Sequence, residues 1–141
     1  MTTALTRREA LAAGFGTVLL PATLSAQPAQ KPAEFKIGVT TFLSGPASVF
    51  GVPSRKACEM LVEQINAAGG VAGVPLRPFF VDEGPGTDHL VGEFRRLVQS
   101  EGVHAMLQSI SSGSCLACTP LSRELQKLTI LWDCGTQRIF E

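Results

Sequence analysis

From Phe35 onward the chain switches its hydrophobic period at regular intervals, and this alternation constrains the fold more than any single motif. Phe35-Lys36-Ile37-Gly38-Val39-Thr40-Thr41-Phe42 alternates apolar residues and is rich in β-branched ones, the pattern of a strand. Leu43–Val52 reads as a loop punctuated by Gly and Pro. After it, Ala57, Met60, Leu61, Gln64, Ile65 and Ala68 recur at spacings of three and four, which predicts a helix with one apolar stripe. Pro53 suits the first turn of that helix, and Gly69-Gly70 its end. A second strand is expected over Val74–Asp82, with Pro78 marking an edge strand or a late start. Thr87 is a candidate cap for the next helix, with Asp88 favourable at its positive end. Leu90, Val91, Phe94, Leu97 and Val98 form its buried stripe, and Gly102 stops it. A third strand follows over Val103–Leu107, then a polar loop Ser109–Ser114, a helix to about Lys127 and a fourth strand over Thr129–Trp132. Such an order implies an α/β fold, a parallel sheet with helices on both faces joined by right-handed crossovers. Ligands in these folds sit beyond the carboxyl ends of the strands. That singles out the loops Leu43–Phe50, Ser109–Ser114 and Asp133–Gln137.

The first residues carry a different signal. Thr6-Arg7-Arg8-Glu9-Ala10-Leu11 places two adjacent arginines before a modestly apolar, Ala- and Gly-rich stretch from Ala10 to Leu24. This pattern is that of a twin-arginine export signal, too small-residued for a stable membrane span of about 20 apolar residues. We assign residues 1–26 to the signal, with cleavage after Ala26, 27–34 to a flexible start containing Pro28 and Pro32, and 35–141 to the α/β lobe. No cysteine precedes Cys58, so a lipid anchor at the signal is excluded. The mature product is expected to be soluble and periplasmic.

Composition narrows the function. Apolar residues make up 45% and charged residues 17%, which fits a globular protein and argues against disorder. Twelve Lys and Arg balance twelve Asp and Glu, so the chain has no overall positive field for nucleic acid or an anionic membrane. It has no Tyr and one Trp, too few aromatics for a sugar clamp. G-x-G-x-x-G, G-x-x-x-x-G-K-[ST] and G-x-S-x-G do not occur, and no convincing nucleophile–base pair is present.

At this point the motifs carry a family likeness that covers about Phe35 to Glu141. Phe35-Lys36-Ile37-Gly38-Val39 with Leu43-Ser44-Gly45-Pro46 resembles the first strand and Ser-Gly-Pro loop of leucine-binding-type periplasmic receptors of ABC transporters. Phe50-Gly51 matches an aromatic-Gly pair, and Ser111-Ser112-Gly113-Ser114 with Leu116-Ala117 resembles the ligand-binding Ser-Gly step and its helix. The most specific element is Ile65-Asn66-Ala67-Ala68-Gly69-Gly70-Val71-Ala72-Gly73, similar to the family's Ile-Asn-x-x-Gly-Gly-x-x-Gly turn.

The resemblance implies the N-terminal lobe of a type I periplasmic binding protein, with the second, closing lobe absent from this chain. It implies a binding protein rather than an enzyme, without cofactor or metal. The solute would be a small carboxylate such as a branched-chain amino acid, delivered to a permease in the inner membrane. By the same resemblance Ser112, flanked by Ser111 and Gly113, binds the ligand's carboxylate. Thr136 with the backbone of Cys134 and Gly135 makes a second polar contact, and Phe50 packs on the ligand at the mouth. Elementary physics points the same way at Ser112, because free N–H groups and the helix dipole favour an anion there. An ordinary helix cap uses the same geometry. The chain departs from the pattern at Gln108, where Gly is usual, and at Trp132-Asp133-Cys134-Gly135-Thr136. Asp133 adds an acceptor that a plain leucine receptor does not need, and related receptors take amides, urea or aromatic acids.

Cys115-Leu116-Ala117-Cys118 sits at a helix start, the arrangement that lowers a thiol pKa in exchange proteins. Three readings remain open for these cysteines: small buried helix residues, a structural disulfide that includes Cys134, or an exported thiol–disulfide protein using Cys115 and Cys118, the alternative function. Cys58 is expected to pack on the first helix. Cys115, Cys118, Cys134 and His104 could in number ligate zinc, but no second C-x-x-C or H-x-x-x-H accompanies them. His89 is expected to be solvated and His104 to be a satisfied strand residue. Asp82-Glu83 and Asp88 could be paired for acid–base work. They read more simply as a solvated loop before a capped helix.

Overall fold

Four short strands pair in parallel: β1 (Phe35–Thr41), β2 (Leu76–Asp82), β3 (Ala105–Gln108) and β4 (Leu128–Leu131), in the order β2-β1-β3-β4. The computed structural model describes residues 30–108 and 111–141, and the fold is that of the unit Lys31–Glu141. The expected signal (1–26) and residues 27–29 of the expected flexible start lie outside the described residues. Helices α1 (Ser48–Ala67), α2 (Thr87–Gln99) and α3 (Ser112–Glu124) make the crossovers, and a 3-10 turn, Gln137–Phe140, follows β4. The α/β class and the parallel sheet are as the alternation implies. β2 lies at the edge, the place where Pro78 removes no needed ladder bond.

The two faces of the sheet are filled differently. Val81 and Met106 meet Leu90, Phe94 and Leu97 of α2, and Cys118 and Leu121 of α3, in one buried core. Leu90, Phe94 and Leu97 have no exposed surface, and burying each stabilises the fold by about 1.5–3 kcal/mol. Gly38 pairs with Met106 across β1 and β3, and a Cβ there would collide with the Met106 and Leu97 side chains. On the other face α1 lies over β1 and β2, with the Arg55 guanidinium 4.8 Å from the centre of the Phe80 ring.

Helix α1 corrects two expectations. It begins at Ser48 rather than near Pro53, because the turn Gly45–Ser48 and the bonds from Phe50 and Gly51 to the Ala47 carbonyl already start it. Pro53 therefore lies inside the helix, and Ser54 Oγ donates to the Phe50 carbonyl at 2.9 Å. The stripe Ala57, Met60, Leu61, Gln64, Ile65 and Ala68 is exposed, with Met60 and Leu61 at 54% and 53%, while Gly51 and Val62 face inward. The reason is Asn66. Its side chain donates to the Leu76 carbonyl at 2.9 Å and accepts from the Leu76 N–H at 2.7 Å, which ties the end of α1 to the start of β2 and fixes the helix roll.

Smaller corrections follow the backbone. Gly86, at φ 108°, precedes α2, so Thr87 is its first residue and supplies no side-chain cap. α3 ends at Glu124, and β4 ends at Leu131, one residue before Trp132. His104 is a satisfied structural residue: its Nδ1 accepts from the Lys36 N–H at 3.0 Å and its own N–H donates to the Lys36 carbonyl at 2.8 Å.

Candidate ligand-binding cleft

The carboxyl ends of β1, β3 and β4 bring three chain segments to one side of the sheet. α3 starts there with Ser111 as its cap. The Ser111 hydroxyl accepts from the Ser114 N–H at 3.2 Å, and the Ser111 carbonyl accepts the first helical bond, from the Cys115 N–H at 2.9 Å. Ser112 and Gly113 follow as the first helical residues, whose N–H groups have no acceptor within the helix. The loop after β4 lies against them. A Cβ added to Gly135 would stand 3.4 Å from Ser112 Oγ, an ordinary contact distance, so the loop lies directly beside the serine.

Cys134 is joined to Cys115 by a disulfide, with their Cα atoms 6.4 Å apart. This selects among the open readings of the cysteines and corrects the exchange pair: Cys115 is not paired with Cys118. Cys118 is a buried free thiol. Burial pushes its pKa up, Gln108 pulls it back and the charge of Glu83 raises it further, the opposite of an activated nucleophile. The four zinc ligands imagined from the sequence are not a set, since two sulfurs are bonded to each other and His104 serves Lys36. Cys58 is half-buried on α1.

Phe50 stands in the first turn of α1, 65% exposed. With Leu131, Trp132, Asp133, Cys134 and Gly135 it lines an open cleft of about 600 Å³. Gly51 makes this placement possible, because a Cβ there would run into the backbone of Phe42. Of the residues singled out in the sequence, Phe50, Cys134 and Gly135 share the cleft. Ser112 borders it through Gly135, while Ser111 is occupied as the cap and Gly113 lies one residue along. Thr136 caps the next turn, its hydroxyl accepting from the Arg138 N–H at 3.3 Å. Leu131 and Trp132 join the lining without having been picked out for it. Their position at the carboxyl end of β4, Leu131 as its last residue and Trp132 just beyond it, was the available signal.

The acidic pair at the carboxyl end of β2 is the main correction to the sequence reading of this region. Asp82 is an anchor rather than a solvated group: its Oδ1 accepts from the N–H groups of Leu43, Ser44 and Gly84 at 2.7, 3.1 and 2.8 Å. Burial alone would raise its pKa, but the Ser44 hydroxyl and these N–H groups outweigh it and hold the carboxyl below its usual range. Glu83 is 2% exposed. Its Oε1 accepts from the Thr40 hydroxyl at 2.9 Å, and among the described residues Oε2 has no hydrogen-bond partner. Burial drives the Glu83 pKa up. The Thr40 and Ser114 hydroxyls and the Ser111 N–H oppose this, and the Asp82 charge adds to the rise. Gln108, the residue that departs from the expected glycine, is buried beside this group and donates to the Ser114 carbonyl at 2.9 Å. Gln108 therefore braces the start of α3 through the Ser114 carbonyl.

Residues 34–137 match the family described as "Periplasmic binding protein". The chain belongs to that family. A Leu/Ile/Val-binding protein homolog 7 of Brucella abortus (strain 2308) is 38% identical over 104 residues, 72% of this chain and 25% of that protein. The chain thus spans a quarter of the length of this relative. Among solved structures, the branched-chain amino acid transporter substrate-binding protein LivJ from Streptococcus pneumoniae, in complex with isoleucine, superposes with a TM-score of 0.70. Its identity is 24%, over 75% of this chain and 30% of LivJ. A solute-binding protein of an ABC transporter from Rhodopseudomonas palustris BisB5, in complex with 3,4-dihydroxybenzoic acid, superposes at 0.69 with 19% identity, over 77% of this chain and 29% of its own. The periplasmic binding protein family is one of binding proteins, and the lobe described above is its type I fold.

Proposed function

We propose that this chain is the N-terminal lobe of an ABC-transporter substrate-binding protein. It is exported by its twin-arginine signal to the periplasm, where it captures a small carboxylate-bearing solute for a permease in the inner membrane. The reaction is capture and release, without catalysis. The observation that carries the reading is the start of α3, where the N–H groups of Ser112 and Gly113 have no acceptor among the described residues and Gly135 lies beside the Ser112 hydroxyl. A carboxylate placed there meets the positive end of the helix dipole and the serine hydroxyl. Phe50 and Trp132 offer apolar surface to the remainder of the solute, and Asp133 an acceptor for an amino group or hydroxyl.

The chemistry of the ligands in the two solved neighbours supports the carboxylate: isoleucine and 3,4-dihydroxybenzoic acid share that group and little else. A second lobe supplied by the rest of a full-length protein would close over the cleft and exclude water. The test is a titration of Trp132 fluorescence with L-isoleucine and with L-isoleucinamide, which lacks the carboxylate. Tighter binding of the acid, weakened about 10- to 100-fold by Ser112→Ala as expected for a lost hydrogen bond to a charged group, supports the assignment. Equal binding of acid and amide would remove it.

A further inference from the structure

The proposed solute site brings the first turn of α3, at the border of the cleft, together with the loop after β4, which lines it. The loop is held at its two ends. The Trp132 N–H donates to the Gln108 carbonyl at 3.1 Å, and Thr136 caps the turn Gln137–Phe140. Between these points, Asp133, Cys134 and Gly135 make no hydrogen bond among the described residues. Among the described residues, the one tether of this middle stretch is the bond from Cys134 to Cys115, a residue three places beyond Ser112.

The geometry points to Cys134 as a positioning residue for the solute site: through its disulfide it holds Gly135 against Ser112, and reduction releases the loop and opens the cleft. The inference rests on the reading of Ser112 as the solute contact. A dithiol or phosphine reductant supplies the two electrons. The Sγ–Sγ bond breaks and each sulfur takes up a proton: a dithiol gives up its two protons and leaves as its own disulfide, and a phosphine leaves as the phosphine oxide, with water supplying the oxygen and both protons. In an oxidising compartment the bond persists. Cys118 does not compete for Cys115, because burial keeps its sulfur protonated as a thiol. The effect on the site is one of preorganisation. A loop already in its bound position loses less freedom when the solute arrives.

The experiment measures backbone NMR order parameters of the full chain before and after reduction with tris(carboxyethyl)phosphine, and in the Cys134→Ser variant. Trp132, the one tryptophan, reports in parallel by its emission. Expected is a fall at residues 133–135 from about 0.85 to below about 0.6, with shifted Ser112 and Gly113 amides and unchanged values in the sheet. Isoleucine affinity should fall roughly tenfold at temperatures well below melting, a loss that a merely structural bond would not cause. Unchanged order parameters at 133–135 after complete reduction would overturn the inference, whether or not any solute binds. Loosening of the loop with undiminished isoleucine affinity would overturn it equally, whereas a failure of the Ser112 assignment is read separately, from unchanged isoleucine affinity in Ser112→Ala with the disulfide intact.

Discussion

Glu83 offers the sharpest test of the electrostatics at the carboxyl ends of β1 and β2. Its carboxyl is 2% exposed, and its pKa is raised from an ordinary 4.5 chiefly by burial. The folded state therefore holds a proton that the unfolded chain releases above 4.5. The stability this group contributes is fully present below that value and is lost as pH rises through the folded pKa. Within that window a single proton changes stability by at most about 1.4 kcal/mol per pH unit. For a domain near this size each kcal/mol corresponds to a melting shift of about 4–8 °C. Glu83→Gln keeps the shape and the oxygen that accepts from Thr40, but has nothing to titrate. Thermal melts followed by circular dichroism from pH 4 to pH 8 should show the variant gaining on the parent as pH rises above 4.5. Asp82→Asn should act in the opposite window. The lowered Asp82 pKa contributes stability above 3.8 that is lost as pH falls, and the variant should lack that acid-side loss. Parallel melting curves for Glu83→Gln and the parent across the whole range would refute the reasoning, because no proton would then be held by the fold.

Three further outcomes follow from packing and hydrogen bonding. Phe94→Ala empties a side-chain site with no exposure and should cost about 3–5 kcal/mol by urea unfolding; a loss below 1 kcal/mol would deny it a place in the core. Asn66→Ala removes both bonds to Leu76 and should cost about 1–3 kcal/mol, measured the same way, and hydrogen exchange at Leu76 should rise. Gly51→Ala forces α1 away from the Phe42 backbone, with an expected loss of about 1–3 kcal/mol and a displaced Phe50 visible in Trp132 emission; an unchanged melting point would show that the approach is not tight.

The alternation of periods was enough to read four strands and three crossovers, because each local pattern agrees with the parallel fold. Pro78 marked the edge strand, and Leu90, Phe94 and Leu97 marked the core for the same local reason. What the sequence did not disclose are facts of tertiary neighbourhood. The roll of α1 is set by Asn66 reaching ten residues ahead to Leu76, so a stripe that looks like a core face is turned outward. A disulfide that includes Cys134 was one of three open readings of the cysteines, and the choice among them depends on where β4 delivers residue 134, which the C-x-x-C spacing does not encode. Glu83 looked like a loop acid because burial under α3 is invisible in an Asp-Glu pair followed by Gly-Pro-Gly. The Ser-Ser-Gly step, by contrast, is where the sequence put it, at the start of a helix beyond a strand end.

The central claim is that a carboxylate docks on the start of α3. The most direct measurement is a titration of the isotope-labelled chain with L-isoleucine to about 10 mM, enough to reveal millimolar affinity, followed by amide NMR shifts. The expected result is that the amides of Ser112, Gly113 and Gly135 move most and together, and that Ser112→Ala suppresses the movement. The contradicting result is that these amides stay still with isoleucine and with 3,4-dihydroxybenzoate alike.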